Sequence, residues 1–186
     1  MNNETIFNHI SRFEGIVPHL YLDTNGHVTV GCGNLVPSVT ACTALYMIDR
    51  ANHVRATPDE LADEYRAVHA LEKGKRASYY KQACNLEMPL PEIRRLFNSR
   101  IVEFSGYLRN IYPGYDEFPG AVRLAILDLI FQLGPGNLKR NWPRLKAAVT
   151  ARDWNEAARH AHRAASSTAR NIATAELFHS ATSRLG

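Results

Sequence analysis

The chain has too little of several things to belong to some large protein classes. Its three cysteines, Cys32, Cys42 and Cys84, are an odd number without paired metal-ligand spacing. That excludes a complete disulfide framework and a zinc knuckle, and points to buried thiols in a protein made in the cytoplasm. No apolar run approaches the ~20 residues of a membrane helix. Internal repeats and low-complexity tracts are absent, as are a P-loop, a dinucleotide fingerprint and a Ser-His-Asp order. His160 and His162 stand two apart on a helical stretch, where side chains diverge, so they do not share an ion. The opening MNNETIFNHISRF has neither a basic start nor an apolar core. No secretory signal is therefore expected, and delivery outside the cell would need a carrier.

What is present describes one ordinary globular domain of 186 residues, 45% hydrophobic and 22% charged. The net charge of +4 and isoelectric point near 9.1 suit an anionic partner, either wall polymer or nucleic acid. The excess is late: from Lys139 to Arg170 eight Lys or Arg face only Asp153 and Glu156, a local +6. A solvated helix face accounts for much of this.

The most informative stretch is FEGIVPHLYLDTNGHVTVGCGN, Phe13 to Asn34. Ile6, Phe7, Ile10 and Phe13 repeat at helical spacing behind Asn3 as cap, so a short amphipathic helix delivers Glu14 at its C-terminal end. Pro18 blocks further helix. HLYLD and HVTVGCG then alternate around Asn25-Gly26, which reads as a hairpin. Val28, Val30 and Cys32 share one face, Thr29 points the other way, and Gly31 and Gly33 leave open space beside it. Asp23, at the turn, reaches the same side. A carboxyl at a helix C-terminus suits a proton donor, because the negative end of the dipole disfavours the charged form. Asp23 on a solvated turn suits the complementary role, and two such carboxyls are the equipment of glycoside hydrolysis. Taken singly, Glu14 reads as a surface residue and Asp23 as a turn former.

The spacing of Glu14, Asp23 and Thr29, followed by Gly-x-Gly, resembles the catalytic segment of the phage-type lysozymes, glycoside hydrolase family 24, which includes T-even phage and pesticin-like muramidases. The resemblance resumes at Leu96-Phe97-Asn98 and runs through YLRN, AVRLAILDLIFQLG and RDWNEAA, in the family's order. It implies that Glu14 is the general acid and that Asp23 with Thr29 holds the attacking water. It also implies that Leu35, Asn34, Phe131 and Gln132 bind substrate, and that Arg170 supports the catalytic glutamate. Asn34 stands where the family usually has His. The segment from Pro37 to Pro91 has no aligned counterpart and is longer.

Ser38 or Thr40 caps a helix-like Ala41 to Ile48. Thr57, Pro58 and Glu60 form a capping box for a helix ending near Gly74. Met88 to Pro91 punctuate the chain before IRRLFNSRIVEFSGYL, and Tyr112 to Tyr115 is a loop. Ala121 to Leu133 is apolar on nearly every side, which places it at a bundle centre, and Gly134-Pro135-Gly136 stops it. Asp128 and Gln132 share a polar stripe on it, either lining a cleft or hydrogen-bonded inside the bundle. Asp153-x-x-Glu156 caps the next helix, with Trp154 buried, and a last helix carries Arg170 and Phe178.

The expected fold is α+β, mostly helical: a two-lobed lysozyme-like domain with a small hairpin sheet in an N-terminal lobe of residues 1–90 and a helical bundle in 91–186. The resemblance implies an inverting muramidase that cuts the β-1,4 bond between N-acetylmuramic acid and N-acetylglucosamine in peptidoglycan, without metal or cofactor. It would be a monomer with no membrane span and no nucleic-acid partner. It would act in the periplasm or cell wall, as an endolysin released through a holin or as an effector delivered by a secretion system and matched by an immunity protein. A lytic transglycosylase needs no attacking water, which Asp23 and Thr29 argue against. A glycan-binding module without catalysis, hinted at by Asn34, and a basic nucleic-acid binder are the rivals from other classes.

Overall fold

A computed structural model describes residues 2–182. Helix accounts for 62% and strand for 9%, so the fold is α+β and mostly helical, with a small antiparallel sheet. The chain divides into two compact units: Phe7–Asn98, and the residues up to Ile6 together with those from Ser99 onward.

Helix α1 (Asn3–Glu14) opens under a different cap from the expected one. Asn3 is already helical, and Asn2 Oδ1 accepts from both the amide (2.8 Å) and the hydroxyl (2.7 Å) of Thr5. The helix ends as anticipated at Glu14, where Gly15 takes φ +77° and donates its amide to Ser11. Strands β1 (Val17–Leu22), β2 (Val28–Gly31) and β3 (Asn34–Leu35) follow as an antiparallel meander.

The middle segment is where the expected elements shift. Ser38 does cap a helix, its hydroxyl accepting from Ala41, but α2 spans only Val39–Thr43. Its expected last residue, Ile48, pairs instead: β4 (Ile48–Asp49) runs antiparallel to β5 (Leu86–Glu87). The capping box of α3 (Pro58–His69) forms with both of its reciprocal bonds. That helix ends at His69, five residues short of Gly74, with Ala70 as its cap. Its buried Glu64 turns away from water, and Oε2 accepts the amides of Asn85 and Leu86 at 2.7 and 2.9 Å, which ties α3 to β5. Helix α4 (Ala77–Tyr80) packs on β1, where His19 Nε2 meets the Ala77 carbonyl. The thiols of Cys42 and Cys84 lie in this core, pushed up to about 12 first by burial and then by the charge of Glu64.

Helix α5 (Leu90–Ile111) leads to a turn and to α6 (Gly120–Asn141). Gly134 interrupts α6 with φ +73° and ψ 158°, a conformation only glycine adopts easily, and the chain resumes helix at Pro135. The expected stop is thus a break between two helical stretches. α7 (Pro143–Thr150) and α8 (Trp154–His160) follow, the latter capped by Asp153 as expected, and α9 (Thr168–Thr182) packs on both α6 and α8. Buried Trp154 meets Phe118 edge-on, with centroids 5.6 Å apart.

Among the described residues no helix is long and apolar enough to cross a membrane.

Candidate active site

Glu14, Asp23, Thr29, Asn34 and Leu35 all belong to the unit Phe7–Asn98. Phe131, Gln132 and Arg170 belong to the other. In the first unit the meander sets the geometry. Tyr21 pairs with Thr29 and Thr29 with Leu35, so these three side chains share one face of the sheet.

The turn between β1 and β2 is built on Asp23. The Gly26 amide donates to the Asp23 carbonyl, and Gly26 takes φ +88°. Asp23 Oδ1 accepts the amides of Asn25 (2.9 Å) and His27 (2.8 Å), while Oδ2 lies 3.4 Å from His27 Nδ1. Turn former and candidate base are therefore the same residue, with one oxygen given to each role. Thr29 is only 4% exposed and its hydroxyl donates to the His27 carbonyl at 3.1 Å. With its proton so engaged, Oγ1 has lone pairs left to accept a hydrogen bond from a water.

Half of the expected open space beside Thr29 is filled. A side chain at Gly31 would meet Ile93 Cγ2 at 3.3 Å, and the residue's φ of +69° already favours glycine, whereas nothing lies within 4 Å of the Cβ position at Gly33. Ile93 enters from α5, a contact too distant in sequence to be read from the hairpin. β2 also ends at Gly31, so the strand alternation does not extend to Cys32, although Cys32 is buried with Val28 and Val30.

Tyr21 joins the candidate site through its pairing with Thr29. Burial first, then the charges of Glu14, Cys32 and Asp23, push its phenol up to about 12. Its strand position, two before Asp23 and opposite Thr29, was the available signal. His27 is the second addition, visible only once the turn closes on Asp23.

In the other unit, Phe131 meets Phe104 edge-on at 5.5 Å. Gln132 Oε1 is buried and accepts no hydrogen bond from any described residue. Arg170 is 5% exposed and grips Asp128: Nη2 donates to Oδ1 at 2.8 Å and Nε to Oδ1 at 3.0 Å. Arg163 Nη1 reaches Asp128 Oδ2 at 2.8 Å and Nη2 reaches Thr174 Oγ1 at 2.6 Å. Asp128 is thus hydrogen-bonded inside the bundle, and the cleft-lining alternative fails for it. Arg163 and Arg170 also leave the solvated basic face, because both guanidinium groups are buried.

His160 pairs with Glu156 one helical turn away, at 2.8 Å. No cluster of three or more His, Cys, Asp or Glu able to hold a metal occurs among the described residues. No protein-family model matches the chain, and no curated protein matches it.

Proposed function

We propose that this chain is a lysozyme-like muramidase that hydrolyses the β-1,4 bond between N-acetylmuramic acid and N-acetylglucosamine in peptidoglycan. The observation that carries the reading is the meander, which sets Thr29 opposite Tyr21 on one sheet face and Asp23 at its turn, in the same compact unit as Glu14. Its second support is the ordered set of motifs shared with the phage-type lysozymes.

Glu14 protonates the glycosidic oxygen as the bond breaks. On the opposite face of the sugar, a water donates one hydrogen bond to Thr29 Oγ1 and its proton to Asp23 Oδ2, and its lone pair attacks the anomeric carbon. The product is inverted, and the carboxyls of such a pair stand ~6.5–9.5 Å apart to leave room for the water. Leu35 and Asn34, in the same unit as Glu14, Asp23 and Thr29, contact the glycan. The chain acts on the wall after delivery by a holin or a secretion system.

Clearing of purified peptidoglycan tests this directly. The parent protein should clear it, and Glu14→Gln, equally folded, should not. Activity retained in that variant would remove the assignment.

A further inference from the structure

The hairpin borders a second hollow, on the side of α3. A cavity of about 320 Å³ lies between His27, Leu35, Val36 and Pro37 of the meander and its exit, and Tyr65 and His69 of α3. None of its lining residues is Asp, Glu, Lys or Arg. Tyr65 and His69 are one helical turn apart and their rings stack, with centroids 5.9 Å apart and planes within 10°. Tyr65 is 9% exposed and packed, while His69 is open to solvent, so the stack offers an imidazole supported from beneath. On the opposite wall Leu35 is 43% exposed. At the rim Lys73 lays its methylenes against Gly26.

These features select a kind of ligand. Lining residues without fixed charge give an ion little compensation for lost hydration. A supported ring and an aliphatic wall favour a flat molecule with apolar faces, and ring nitrogens at His27 and His69 serve hydroxyl or amide groups on its edge. The size sits at the lower end of ligand cavities, ~300–1,000 Å³, enough for one ring and not for a large cofactor. A pyranose bearing an N-acetyl group has this chemistry. The position agrees with it, since His27, on the wall, lies 3.4 Å from the carboxylate of Asp23, and Leu35 belongs to both the sheet face of Thr29 and the cavity.

We propose that this cavity is an accessory glycan subsite that seats an N-acetylhexosamine ring further along the strand being cut, with α3 extending the binding surface of the hairpin. Residues 37–91, which match no lysozyme region, would then serve to lengthen the grip on the glycan. The identity of the ligand as wall glycan rests on the muramidase reading; the cavity's neutral, ring-binding character does not.

The test uses the whole chain carrying Glu14→Gln, so that sugar is bound without being cut. Chitohexaose, the hexamer of N-acetylglucosamine, is titrated by calorimetry and by NMR of the histidine rings. His69→Ala should weaken binding about three- to tenfold, the scale of one lost ring contact, and His69→Phe should restore it. The ring signals of His69 and His27 should shift on saturation. Equal affinity in His69→Ala with unmoved His69 signals would overturn the subsite, as would no binding of the hexamer at all. Wall hydrolysis by the protein with Glu14 intact is scored separately. Hydrolysis without a response at His69 leaves a muramidase lacking this subsite, whereas shifts at His69 without hydrolysis keep the subsite and remove the muramidase.

Discussion

Replacing Asp128 by asparagine should destabilise the protein far more than a typical surface change. The carboxylate is 0% exposed and faces Arg163, Arg170 and the hydroxyl of Thr174 within 2.8 to 3.2 Å. Asparagine keeps the shape and one acceptor, but removes the negative charge that faces both buried guanidinium groups. Removing one partner of a buried ion pair costs ~3–5 kcal/mol. In a chain of this size each kcal/mol shifts Tm by ~2–4 °C, so the midpoint should fall by about 6–20 °C. Burial works to raise the carboxyl's pKa, but the hydrogen bonds and charge of Arg170, and then Arg163, outweigh it and hold it below its ordinary value. A depressed folded value means that the stabilisation is present above the unfolded pKa, ~3.9, and is lost as pH falls below it. The gap between parent and Asp128→Asn in urea denaturation should therefore narrow below about pH 4. A control converts the cluster to apolar residues together, Asp128→Leu with Arg163→Met and Arg170→Met. It should recover most of the loss, since such replacements are often neutral or better. An Asp128→Asn protein within ~0.5 kcal/mol of the parent, or a gap that widens in acid, would refute the argument.

Tyr21, whose phenol is pushed up to about 12, should stay neutral while ordinary tyrosines ionise near 10; Tyr21→Phe should then leave the phenolate absorbance of the folded protein at about pH 10 unchanged. Loss of about half a tyrosine's amplitude there, as an ordinary phenol would give, would mean that neither burial nor the neighbouring charges raise it. Asp23→Asn and Thr29→Val should each lower turnover by ~10²–10⁴ with little change in glycan affinity, and the double variant should lose less than the product of the two, because both act on one water. A fully multiplicative loss, measured by reducing-end release, would separate their roles. Lys139, Arg140 and Arg144 are exposed, so wall clearing should slow as salt shortens the screening length below ~8–10 Å, and their charge reversal should mimic high salt. Cleavage of short soluble oligosaccharides should respond to neither; an equal loss there would put these residues in contact with substrate.

What the sequence makes legible follows from local rules. The helix ending at Glu14, the hairpin around Gly26, the Thr57 capping box and the Asp153 cap are each set by residues a few positions apart, and each forms. The segment expected as a helix to Ile48 is helical only to Thr43, and Ile48 lies in β4, whose partner β5 comes almost forty residues later, a pairing no local pattern carries. For the same reason Arg163 reads as a surface cation: only folding brings it to Asp128, 35 positions away. At the candidate site, the placement of Glu14 at a helix end, Asp23 at a turn and Thr29 on a strand is legible from local pattern. Tyr21 is half-legible from strand alternation. The double duty of Asp23 and the neighbourhood of His27 emerge only from the closed turn.

Mass spectrometry of the soluble fragments released from purified peptidoglycan tests the central claim most directly. The account predicts glycan fragments ending in a reducing N-acetylmuramic acid, each carrying the mass of one added water, formed first as the inverted α-anomer and absent with folded Glu14→Gln. Fragments one water lighter, ending in an anhydro sugar, would make the enzyme a transglycosylase with no attacking water at Asp23 and Thr29. Intact, unfragmented wall after incubation with the folded parent protein would contradict the muramidase assignment altogether.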